Sequence, residues 1–427
     1  MARGRATFAP LDRPERVNAT LRPTVHVPAV PAPPSAGRAP HPAARLGLAL
    51  AAYVAAFVGV ITLYPFRFSA LDIARRFDPL LLTTPFDLVA NVALFVPLGF
   101  LLRLGWRDAR WWVVPLVGTA ASLCIETAQL FEAARYSALA DVATNGLGAG
   151  VGALLHDLAR RRLRGTERLT LELPLMGLVY LTLPLAWLDA SLVATRSTGA
   201  LPLLFLGLFG ASVLAAVQAG HLAPWGIARR GETAMAAGVW FVVATVPAWP
   251  AAPVELTGYT VLVMAYVWQR GGASEPPAAE RRFEGRALLR AAPYYAAYLI
   301  VLPLGVPAAT SQLERPAVLH AAEAMAAFTL LGYLVAESRG RRELRYGGSV
   351  GAVLLAAAVS VAFGQTVAAG GWPSLTGWPR LAAALVAAGY GGWVYHLQRD
   401  AIRGQVAQLA RPEPVPVDRS VAERTAA

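Results

Sequence analysis

Apolar residues run for about 17–22 positions, stop at a short polar or proline-rich turn, and resume, through most of residues 46–397. Each run is long enough to carry a helix across a hydrocarbon core about 30 Å thick. The pattern predicts helices over 46–64, 88–105, 111–131, 139–157, 173–193, 200–219, 234–250, 252–268, 287–307, 318–336, 347–368 and 379–397. The fold class is therefore an all-α polytopic membrane protein of about 12 transmembrane helices.

Polar residues interrupt this alphabet most densely in "IETAQLFEAARYSALADVATNGLGAGVGALL", residues 125–155. Glu126 and Gln129 are three apart, on one helix face near the end of the third run. Arg135 occupies the turn, and Asp141 and Asn145, four apart, open the fourth run. The second run opens alike with Asp87 and Asn91, and the first ends at Arg67 as the third ends before Arg135. Two related helical hairpins would each offer a carboxylate, an amide and an arginine at one membrane surface. Gly146 with Gly150, and Gly148 with Gly152, are small-xxx-small pairs that let helix backbones approach. The plain structural alternative is that Asp87 and Asp141 are helix N-caps and that Arg135 pairs with Glu126 or Asp141. Glu126 fits that alternative least well, because an ionisable group inside an apolar helix is functional by default.

Charge orients the array. The chain is 56% hydrophobic and 15% charged, with a net charge of +12 carried by Arg alone, since it contains no Lys. With so much Ala, that usage suggests a GC-rich bacterial genome. If the N-terminus is cytoplasmic, the inner loops hold more than twice as many arginines as the outer ones, so both termini are predicted inside. The basic charge thus reports topology, and nucleic acid is rejected as a partner. Cys124, the single cysteine, lies within a span and has no intramolecular disulfide partner.

Residues 1–45 are rich in Arg, Pro and Ala, lack the apolar core of a cleaved signal peptide, and read as a disordered cytoplasmic tail. The organisation expected after it is a four-helix membrane domain at 46–160, a basic linker at 161–172, an eight-helix domain at 173–398 and a cytoplasmic tail at 399–427. Residues 68–80 alternate apolar and charged positions as a short amphipathic helix on the outer leaflet would.

"NVALFVPLGFLL", "SLCIETAQLF" and "DVATNGLGAGVGALL" together resemble the VanZ-like family of bacterial membrane proteins. The residues that carry the resemblance are Asn91, Phe95, Pro97, Gly99, Glu126, Gln129, Arg135, Asp141, Asn145 and Gly148, within about residues 46–160. The family is named for a protein giving low-level resistance to the glycopeptide antibiotic teicoplanin. The resemblance implies a role at the cell envelope, in the bacterial cytoplasmic membrane, and leaves the reaction open. Residues 170–400 depart from the short family form.

The later spans show no metal-binding run, no phosphate loop and no cofactor motif. Asp189, Glu255, His320, Glu323 and Gln365 fall near their outer ends, and Pro293, Pro303 and Pro307 would bend the ninth. The leading expectation is an outward polar pocket formed by Glu126, Gln129, Arg135, Asp141, Asn145, Asp87, Asn91 and Arg67. Its partners would be membrane lipids and a lipid-linked or cell-wall headgroup, with the arginines holding phosphate. The alternatives are an intramembrane enzyme with Glu126 or Asp141 as general base, and a transporter.

Overall fold

The computed structural model describes residues 42–64, 66–69, 84–132, 136–163, 174–194, 199–223, 226–272, 283–304, 317–339 and 378–409. Within them lie α1 (Pro42–Leu63), α2 (Pro85–Gly105), α3 (Val113–Gln129), α4 (Leu139–Arg162), α5 (Pro174–Ala194) and α6 (Leu201–Val217). These are followed by α7 (Arg230–Thr245), α8 (Pro253–Arg270), α9 (Phe283–Leu304), α10 (Ala317–Arg339) and α11 (Trp378–Leu409). Each helix coincides with one of the predicted runs. The run at 347–368, the amphipathic stretch from 70 onward, Arg135, Gln365 and the chain before 42 lie outside the described residues.

Among the described residues, five helical stretches are long and apolar enough to cross a membrane by length and composition: Ala44–Leu63, Pro85–Gly105, Leu175–Ala194, Leu201–Leu222 and Arg230–Ala248. Val113–Gln129 is apolar but shorter. Several boundaries move from expectation, the C-terminal one furthest. Helix α1 already starts at Pro42, and α11 continues to Leu409, because polar residues after 397 carry a helix past the apolar run.

Helix α2 shows how its sequence sets its start. Thr84 is the N-cap and Pro85 follows it, where a missing N–H costs nothing. The Thr84 hydroxyl accepts from the Asp87 N–H at 3.2 Å, and the Asp87 carboxylate accepts from the Thr84 N–H at 3.2 Å, which closes a capping box.

Helices α2 and α4 run parallel and touch backbone to backbone. A Cβ added to Gly148 or Gly152 would collide with the carbonyl oxygen of Val92 or Val96, and one added to Gly99 would meet that of Ala149. Only glycine fits where the chains cross this closely. The other predicted pair faces a different neighbour, with Gly146 against Thr119 and Gly150 against Pro115, both on α3. The four glycines thus divide α4 into two contact faces.

At the far end of this pair Arg103 is held by Asp157 on α4, with Nε at 2.9 and 3.1 Å from the two carboxylate oxygens. Its Nη1 donates to the carbonyls of Trp106 (3.3 Å) and Ala109 (2.7 Å), which fixes the turn into α3. Arg103→Gln is expected to cost about 1–3 kcal/mol of stability, since hydrogen bonds to a charged group are lost in a partly buried setting. Thermal melting of the purified variant measures this, and any ligand bound at the opposite end should be retained.

Helix α1 is shared. Gly47 lies against the backbone of Leu104 and Gly105 on α2. On another side the Ala49 carbonyl accepts from the Tyr390 hydroxyl of α11 at 2.6 Å, and Tyr53 stacks on Tyr390 with ring centroids 6.1 Å apart. One hydrophobic core therefore draws residues from α1 and α2 and from α5, α6, α9, α10 and α11. A second core joins α5, α6, α7 and α8 around Phe241 and Leu256. The described helices belong to one compact unit, residues 40–427.

Candidate functional site

Helix α3 buries a polar stripe. Ser122, Glu126 and Gln129 follow one helix face, and Glu132 continues the sequence just beyond the helix end. All four are buried, with Ser122 and Glu132 fully so and Glu126 only 4% exposed. In the same helix Leu116 and Leu123 are exposed. The stripe therefore turns its polarity inward, toward α1 and α4.

Each member has a defined contact. The Gln129 amide donates to the Thr62 carbonyl at 2.9 Å, one of the last carbonyls of α1 that no helical N–H can reach. Asn145 on α4 donates to the Ser122 hydroxyl at 2.8 Å. The other end of the Asn145 amide, buried to 4% exposure, has no hydrogen-bond partner among the described residues. Glu126 accepts from the Ala138 N–H at 2.9 Å, at the residue that caps α4.

That last bond exchanges roles between the hairpins. At the start of α2 the N-cap Thr84 N–H is satisfied by Asp87 of its own helix. At the start of α4 the equivalent donor, Ala138 N–H, is satisfied by Glu126 from α3. Asp141 holds the third helical position, as Asp87 does in α2, and is thereby free to reach across. It accepts from the Asn91 amide of α2 at 2.7 Å. Neither aspartate is an N-cap, because Thr84 and Ala138 occupy those positions.

The outer wall is non-helical. Phe66 takes a positive φ of 64°, which costs roughly 1 kcal/mol for a bulky residue and turns the chain sharply after α1. Residues 66–69 then lie antiparallel to the end of α3, with a bridge between Phe68 and Glu132 and a 2.8 Å bond from the Ser69 N–H to the Phe131 carbonyl.

Of the predicted set, Glu126, Gln129, Asn145, Asp141 and Asn91 meet around α1, α2, α3 and α4. Asp87 is exposed and engaged in its capping box, and Arg67 is exposed on the strip beside the site. Arg135 lies outside the described residues. Sequence reading missed Ser122 and Glu132 as members. Ser122 sits one turn before Glu126 on the same face, and that periodicity was the available signal.

Residues 44–160 match the family model VanZ/LLP1. No curated protein and no solved structure matches the chain. Helices α1 to α4, which supply the buried polar stripe and its described partners, lie in the part of the chain that is similar to the VanZ/LLP1 family, and no family model matches the rest.

Proposed function

We propose that the VanZ/LLP1 domain binds the polar headgroup of a lipid-linked or cell-wall molecule at the outer face of a bacterial cytoplasmic membrane. The carrying observation is the buried stripe of Ser122, Glu126, Gln129 and Glu132, which meets Asn145 with one amide end open. Burying such groups costs a membrane helix free energy unless each is paired or used. The amide nitrogen of Asn145 is spent on Ser122, and its open oxygen asks for a hydrogen-bond donor from a ligand. Arg67, exposed beside the stripe, suits a phosphate at the headgroup level.

Mass spectrometry of lipids that co-purify with the full chain tests this. A headgroup-bearing isoprenoid or glycolipid, enriched over its share in the bulk membrane, is the expected result. Phospholipids in bulk proportion only would sink the reading.

The reading carries a topology of twelve crossings with both termini cytoplasmic. Trp111 and Trp112, exposed at 79% and 42% at the start of α3, suit one headgroup level, and Tyr136, exposed at 61% before α4, suits the other. Ser137 is buried and a poor reporter, so the label belongs at Tyr136. In a Cys124→Ser background, Tyr136→Cys is expected to react with an impermeant maleimide added outside intact cells. Asp108→Cys, in the exposed turn between α2 and α3, should react only after the cells are opened. Reaction of both from one side would reject the layout.

A further inference from the structure

The outer end of the buried stripe has its polarity inside out. Phe131 is exposed and its neighbour Glu132 is buried. Tyr136 is exposed and its neighbour Ser137 is buried. Leu139 is exposed beside buried Ala138, and Phe68 is exposed across from Glu132. A mouth facing water would show the reverse, with polar side chains in solvent and large apolar ones packed. Apolar side chains turned outward around a buried polar interior mark a surface that meets lipid.

Hydrogen bonds tie this rim together. The turn at Phe66 carries the chain back over α3, so that Phe68 bridges Glu132 and the Ser69 N–H donates to the Phe131 carbonyl at 2.8 Å. Tyr136 and Leu139 flank Ala138, whose N–H donates to Glu126 of α3 at 2.9 Å. Phe68, Phe131, Tyr136 and Leu139 therefore stand around the last turns of α3. Arg67 is exposed on the same strip, between Phe66 and Phe68, whose ring centroids are 6.4 Å apart. Positive charge thus adjoins exposed apolar surface at the mouth of a buried polar region. A lipid phosphate with its attached chain is complementary to both.

We propose that the headgroup site takes a membrane-anchored, phosphate-bearing lipid that enters sideways from the leaflet. Its chain lies along Phe68, Phe131, Tyr136 and Leu139, and its phosphate meets Arg67. The polar group beyond the phosphate turns in toward the stripe and the open oxygen of Asn145. This rests on the headgroup reading and narrows it, because the ligand comes out of the bilayer and a soluble cell-wall fragment does not qualify.

The test places the full chain in bilayer discs of phosphatidylcholine holding a minor share of phosphatidic acid, and counts the retained lipids by native mass spectrometry. Phosphatidic acid is expected at about fivefold its bulk share, the preference that one interfacial arginine confers. Soluble glycerol 3-phosphate, which has the same phosphate and no chain, should not displace it at equal concentration. Arg67→Gln should return the ratio to the bulk value. Phe131→Ser combined with Tyr136→Ser should lower retention severalfold with melting unchanged, since both side chains are exposed. If that double variant does not fold, Phe68→Ser gives the same reading from the strip. Displacement by glycerol 3-phosphate overturns the inference and leaves the headgroup reading standing, since that reading is judged by the lipid that co-purifies from cells. Bulk proportions in the unmodified protein, or retention unchanged in every variant, also overturn it.

Discussion

Gly152→Ala is expected to destabilise the protein by about 3 kcal/mol or more, while Gly150→Ala, two residues away, changes stability little. Both exchanges gain the same helix propensity, about 1 kcal/mol over glycine, so their difference isolates packing. A methyl at 152 runs into the Val96 carbonyl and the Phe100 amide of α2, both of them backbone atoms with no rotamer to yield. A methyl at 150 meets the Pro115 ring at an ordinary 3.5 Å. Forcing α2 and α4 apart lies at the upper end of overpacking costs. It also pulls Asn91 from Asp141, so ligand content should fall with stability in the first variant only. Melting curves of the two purified proteins, recorded side by side, decide it. Equal melting would mean that the helices are not in backbone contact.

The second large effect concerns Glu126. Glu126→Gln keeps the shape and an oxygen able to accept from the Ala138 N–H, so stability should shift by no more than about 1 kcal/mol. Binding of the co-purified lipid should fall by at least about tenfold, the loss of one charge-assisted bond. Glu126→Leu removes the acceptor and leaves a buried N–H at the start of α4 unsatisfied, which costs about 1–3 kcal/mol. The two variants separate capping of α4 from ligand contact. A Glu126→Gln protein that melts much earlier yet keeps its lipid would make the group structural and the binding proposal wrong.

Helix positions were the legible part of this chain, because a continuous apolar run has few alternatives to a helix. The site was legible in composition but not in pairing. Spacing put Glu126 with Gln129 and Asp141 with Asn145, and each pair does face inward. Spacing did not reveal that Asn145 bonds Ser122, or that Asn91 crosses to Asp141, since partners fifty residues apart leave no local periodic mark. Asp87 and Asp141 look alike in sequence and differ in three dimensions, because position 84 is Thr and position 138 is Ala. With no hydroxyl at 138, the carboxylate from α3 takes over the backbone N–H, and one aspartate closes a capping box at N3 while the other reaches across. Glu132 escaped notice because it follows the helix, where face arguments stop applying.

The shared position of α1 has an evolutionary consequence. The family match begins inside a helix whose surface is divided between two sets of neighbours, so the recognised unit and the packed unit have different borders. Gly47 and Thr62 answer to α2 and α3, whereas Ala49 and Tyr53 answer to α11. Aligned descendants of this chain should therefore show two covariation groups interleaved along one helix. A recombination event that exchanged α5–α11 for another module would succeed only if it also replaced the strip of α1 bearing Tyr53.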